Sequence, residues 1–119
     1  MTTIRELTSF ERELLSLLVL GDWEGAEAAR EQLRLAKHAG PWTSGSQSFH
    51  VDVESGSPLV SLPDGLLNNT ERAVHDGDDC IGGVMLWLQA GRISGFEYYW
   101  VTDDPPLGLP TLKQVRHMN

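Results

Sequence analysis

The stretch from Ile81 to Thr102, IGGVMLWLQAGRISGFEYYWVT, contains two apolar, aromatic-rich runs separated by Gln89-Ala90-Gly91-Arg92. That pattern predicts a β-hairpin, with Gly91 supplying the left-handed backbone that a tight turn needs. Trp87, Trp100, both tyrosines and Phe96 lie within it, so it holds much of the large apolar surface available for a core. On its second strand Phe96, Tyr98 and Trp100 share one face and Glu97, Tyr99 and Val101 the other. Asp103-Asp104-Pro105-Pro106 ends that strand, because proline has no N–H for the ladder.

The rest of the chain reads around this hairpin. Thr3-Ile4-Arg5-Glu6 has the form of a capping box, and Ser9-Phe10-Glu11 offers a second helix start. Ile4, Leu7, Phe10, Leu14, Leu17 and Leu18 recur at helical spacing and predict a helix as far as about Leu20. After Gly21, residues 23–38 predict a second helix with Ala26, Ala29, Leu33 and Ala36 along one stripe, stopped by Gly40-Pro41. Glu27/Arg30 and Glu31/Arg34 are spaced as surface ion pairs. Ser48 to Val53 alternates, with Phe49, Val51 and Val53 inward and His50 and Asp52 outward, as a strand with one wet face does. Residues 54–69 read as a long surface loop, Thr70 to His75 as a weaker strand and Asp76-Gly77-Asp78-Asp79 as a turn. Thr111 caps a short terminal helix running to His117. The expected fold is α+β in one domain over residues 1–119. An N-terminal antiparallel helical hairpin covers one face of an antiparallel sheet of about four strands.

Composition narrows the function classes. With 119 residues, 40% of them hydrophobic and 22% charged, the chain is globular and not disordered. Cys80 is the single cysteine, which excludes an intramolecular disulfide and a cysteine-rich zinc site. The longest apolar runs, such as Leu14 to Leu20, are too short to span a membrane, and the N-terminus lacks the pattern of a signal peptide. The expected location is therefore cytoplasmic. The net charge of −8 is uneven: residues 38–119 carry ten acids and four bases. Such a surface argues against nucleic acid, which needs clustered Lys and Arg, and is compatible with a basic partner.

No catalytic constellation is legible, and the expectation leans towards a non-enzyme. The four histidines are scattered singly; His50 and His75, if on neighbouring strands, are the pair folding would have to join to start a metal site. A calcium loop counted from Asp76 fails, because Ile81 and Trp87 stand where the glycine and glutamate are required. Cys80 has acidic neighbours and no histidine context, and reads as structural or incidental. Gly82-Gly83 lacks phosphate-loop spacing, so no cofactor is expected. Glu97, mid-strand among aromatic residues, suits a general acid in an apolar setting or a carboxylate facing water. Trp87, Tyr98, Tyr99 and Trp100 suit a stacking platform or ordinary hairpin packing.

Gly25-Ala26-Glu27-Ala28-Ala29-Arg30-Glu31-Gln32-Leu33 and Gly91-Arg92-Ile93-Ser94-Gly95-Phe96-Glu97-Tyr98, the latter followed by Asp103-Asp104-Pro105-Pro106 and Leu109-Pro110, resemble a family of small uncharacterised bacterial proteins. Some members carry a Cys/Gly-rich run where this chain has Thr43-Ser44-Gly45-Ser46-Gln47-Ser48, so thiol chemistry there is absent. The resemblance implies the helix-and-hairpin fold and no activity.

Three functional expectations follow. The first is an immunity-like interaction protein that masks a basic partner, such as a toxin or nuclease, with Asp76, Asp78, Asp79, Asp103 and Asp104. The second is a small-ligand binder or hydrolytic enzyme with Glu97, Tyr99 and His50 lining a pocket between helices and sheet. The third is a homodimer joined through a sheet face or edge.

Overall fold

A computed structural model describes residues 3–117, and its scaffold is the predicted hairpin. Asp79–Gln89 (β5) and Arg92–Trp100 (β6) pair antiparallel, from Gly82 opposite Trp100 to Gln89 opposite Arg92. Ala90 and Gly91 form the two-residue turn, with φ of 51° and 78°. Two consecutive positive φ values are what a type I′ turn requires, and they match the twist of the flanking strands. Gly65–Asp76 (β4) adds to β5 through a second tight turn, where Gly77 supplies a φ of 63°. The strand of alternating residues, Phe49–Asp52 (β3), lies on the other side of β6, with Phe49 and Val51 buried and His50 and Asp52 exposed, as expected.

The sheet has seven strands rather than about four. Arg5–Glu6 (β1), Lys37–Pro41 (β2) and Val115–His117 (β7) complete an antiparallel sheet in the order β1-β2-β3-β6-β5-β4-β7. All three are short segments whose own side chains do not specify a strand. The ladder does, because each pairs with a neighbour that would otherwise carry unpaired N–H and C=O groups. Residues 54–69 are loop only as far as Asp64; Gly65 to Asn69 already pair or run within β4. The expected terminal helix is a three-residue 3-10 turn, Leu112–Gln114, followed by β7.

The helices are shorter than the periodicity predicts. Ser9–Leu18 (α1) starts at the second of the two candidate caps. The Thr8 hydroxyl accepts from the Glu11 N–H at 3.0 Å, and Glu11 Oε1 accepts from the Thr8 N–H at 2.9 Å. That reciprocal cap holds Thr8 extended and leaves Ile4 to Leu7 outside the helix. Ala26–Arg34 (α2) stops before Lys37, which is taken into β2. Instead of a long helical hairpin, the two helices meet through guanidinium groups on carbonyls. Arg12 donates to the Leu33 and Arg34 carbonyls, and Arg30 donates to those of Val19 and Gly21. Glu31 and Arg34 form the expected surface pair at 2.8 Å, while Arg30 is spent on the interhelix turn.

Both helices contribute to one core with a single face of the sheet. Leu14, Leu15, Leu18, Ala29 and Leu33 pack with Val84, Leu86, Leu88, Phe96 and Tyr98. Burial of each large aliphatic side chain there contributes about 1.5–3 kcal/mol. Gln32, fully buried, ties α2 to the central hairpin. Its Nε2 donates to the carbonyls of Pro58 and Gly91, both at 2.8 Å, and its Oε1 accepts from the Ile93 N–H at 2.9 Å. Among the described residues no helix is long and apolar enough to cross a membrane.

Candidate functional site

Alternation along β5 and β6 sends one set of side chains into the core and the other to the face without helices. On that second face Tyr99 lies opposite Gly83, Glu97 opposite Met85, and Gly95 opposite Trp87. The polar contacts on this face run diagonally or reach a further strand. Trp87 Nε1 donates to Glu97 Oε1 at 2.9 Å, and the Tyr99 hydroxyl donates to Glu71 Oε2 at 3.2 Å. Gly83 is required beneath Tyr99, since a Cβ there would collide with the phenol; a Cβ on Gly82 would collide with the Tyr99 carbonyl. The Gly82-Gly83 pair thus serves close packing. Burial, followed by the Glu71 carboxylate, pushes the Tyr99 phenol above its ordinary value, so it stays protonated and able to donate.

Trp42 packs over Gly95, where a Cβ would stand 3.5 Å from the indole, and its ring lies 6.4 Å from that of His50. The β2–β3 connection that carries Trp42 runs beside the end of β6. There the Ser48 hydroxyl accepts from the Tyr98 N–H at 2.9 Å. Between this connection and β6 lies an open groove of about 350 Å³, lined by Trp42, Thr43, Ser46, Glu97, Tyr99 and Trp100 among others. Trp42 and Trp100 are 38% and 46% exposed, high values for tryptophan. Glu71 and Glu97 have no cationic side chain within 4.0 Å among the described residues.

The five aspartates gather at one end of the sheet. Asp76 and Asp79 face each other across the β4–β5 turn and Asp78 lies within it. The Val101 N–H donates to the Ile81 carbonyl at 2.9 Å, so Asp103 and Asp104 leave β6 at that same end. All five are exposed, and none forms an ion pair among the described residues.

Glu97, Tyr99 and His50 do fall on one face, but it is the face turned away from the helices. They therefore do not line a pocket between helices and sheet. His50 and His75 sit on β3 and β4, separated by β6 and β5. Three strand spacings put them about 14 Å apart, beyond any shared ion. Among the described residues no group of three or more His, Cys, Asp or Glu is arranged to hold a metal. Cys80 does acquire a histidine context through folding, since His75 is its cross-strand partner. The thiol donates instead to the Gly82 carbonyl at 3.5 Å, and His75 Nδ1 is buried without a hydrogen-bond partner among the described residues, so His75 does not hold the thiol as a catalytic base would. Glu71 and Trp42, which sequence reasoning passed over, join the site through pairings that only the ladder reveals.

Comparison with protein-family models, with curated proteins and with solved structures finds no match to this chain.

Proposed function

We propose that this chain is a non-enzymatic, cytoplasmic interaction module that binds a basic protein partner through the acidic end of its sheet, in the manner of an immunity protein masking a toxin. The observation that carries the reading is Asp76 directly opposite Asp79, with Asp78 between them and Asp103 and Asp104 alongside. Like charges directly opposite in an antiparallel pair are destabilising. Here the sheet keeps that repulsion without any compensating cation among the described residues. A cationic partner relieves it, and the relief becomes binding free energy. The ends of the sheet order are less suited to self-association, because β1 and β7 are two and three residues long and carry Arg5, Glu6, Arg116 and His117.

The test is capture by the tagged full chain from lysate of its own source at low salt, with bound chains identified by mass spectrometry. The reading expects a basic protein that leaves on a high-salt wash. That protein should be lost when Asp76, Asp78, Asp79, Asp103 and Asp104 are all replaced by Asn. Undiminished capture by that variant, or no capture by well-folded wild type, would refute it.

A further inference from the structure

We infer that the groove between β6 and the β2–β3 connection is a receptor for an arginine side chain of the partner protein, an inference that rests on the interaction reading above. Three observations converge on it. Trp42, on the β2–β3 connection, and Tyr99 line the groove, and Trp100 borders it at the end of β6; both tryptophans are substantially exposed, so a planar group entering it meets aromatic residues. Glu97 lines the same groove, and Trp87 occupies its Oε1 at 2.9 Å, which orients the carboxylate and leaves Oε2 for a ligand. The Tyr99 hydroxyl donates to Glu71 Oε2 at 3.2 Å, and neither Glu71 nor Glu97 has a cation paired to it among the described residues.

Charge complementarity therefore selects a cation, and shape selects among cations. An aromatic-lined groove beside an oriented carboxylate suits a flat guanidinium, which stacks on indole while its fork of N–H donors meets carboxylate oxygens. An ammonium makes only the point-charge part of those contacts. Thr43 and Ser46 also line the groove; the Ser46 hydroxyl already accepts from the Ser48 N–H at 3.0 Å and keeps one lone pair for a further donor. The groove volume of about 350 Å³ is enough for a single side chain.

The test needs no partner. The ¹⁵N-labelled full chain is titrated with N-acetyl-arginine amide while the four indole N–H signals are followed. Trp23 serves as the internal reference, because its Nε1 donates to the Leu20 carbonyl beside α1. The expected result is saturable movement of the Trp42 and Trp100 signals, with Trp23 still and a Kd on the order of millimolar, as one weakly desolvated contact gives. Glu97→Gln should weaken it about tenfold, and N-acetyl-citrulline amide, the same shape without charge, should leave the signals in place. Equal movement with citrulline, no movement with arginine, or loss of binding in the five-aspartate variant with its groove intact would each overturn the inference. Silence of the probe alongside salt-sensitive capture of a basic protein removes the groove and leaves the interaction reading; probe binding without such capture does the reverse.

Discussion

The Trp87 indole N–H points at Glu97 Oε1 across the central hairpin, 2.9 Å away, and this bond connects the fold to the candidate site. The two residues lie on a diagonal of the ladder, since Trp87 faces Gly95 and Glu97 faces Met85. A hydrogen bond to an ionised group contributes about 1.5–3 kcal/mol, and less where water reaches both partners. A double-mutant cycle of Trp87→Phe and Glu97→Gln, read by urea denaturation, should therefore return a coupling of about 1 kcal/mol. Additive effects of the two changes would mean that Glu97 is not held in place.

Gln32→Leu should be among the most damaging single changes. The carboxamide loses three hydrogen bonds, leaving the Ile93 N–H without it in a buried site and the Pro58 carbonyl in a part-buried one. Stranded backbone groups of that kind cost about 1–3 kcal/mol each, so a total of about 3 kcal/mol is expected by denaturant titration.

The Arg5–Glu11 contact makes stability depend on acid pH. Arg5 meets both Glu11 oxygens, at 2.8 and 2.9 Å, and with the Thr8 N–H holds the carboxyl down at about 2 against an ordinary 4.5. The folded state thus binds this proton less readily than the unfolded one. The stabilisation is complete above pH 4.5 and drains away as pH falls towards about 2. His38, buried and stacked 4.3 Å from Phe49, has its pKa lowered from 6.5, mainly by burial, so its contribution too is lost as pH falls below 6.5. Thermal melts of wild type and Glu11→Gln against pH should converge between pH 4.5 and 2.

Ala90 holds a φ of 51° in the first position of the β5–β6 turn, a conformation that costs an L-residue with a Cβ about 1 kcal/mol. Replacing it with Asn creates the Asn-Gly pair that type I′ turns favour. Ala90→Asn should raise stability by about 0.5–1 kcal/mol, visible as a higher melting temperature, because the turn stays exposed and the Asp64 carboxylate still accepts the residue-90 N–H.

What the chain reveals in advance follows the range of the interactions. Gly91 and Gly77 mark both tight turns, and the alternation of Phe96 to Tyr99 assigns Glu97 and Tyr99 to one face. Ile4 to Leu7 misleads because its spacing fits a helix, and only pairing with Lys37 and His38 makes Arg5–Glu6 a strand. The site divides the same way. Glu71 reaches Tyr99 from 28 positions away and Gln32 reaches Gly91 from 59, and no local pattern encodes either contact. Strand order, likewise non-local, is what separates His50 from His75.

The central claim is that the aspartate end of the sheet attracts a basic protein, and its most direct test is kinetic. The association rate with the captured partner is measured by stopped flow over a range of ionic strength, for wild type and for the chain with Asp76, Asp78, Asp79, Asp103 and Asp104 replaced by Asn. The account predicts a rate that falls steeply with salt in the wild type, and a slower, nearly salt-independent rate in the variant, with little change in dissociation. Equal rates and equal salt dependence in the two proteins would contradict it.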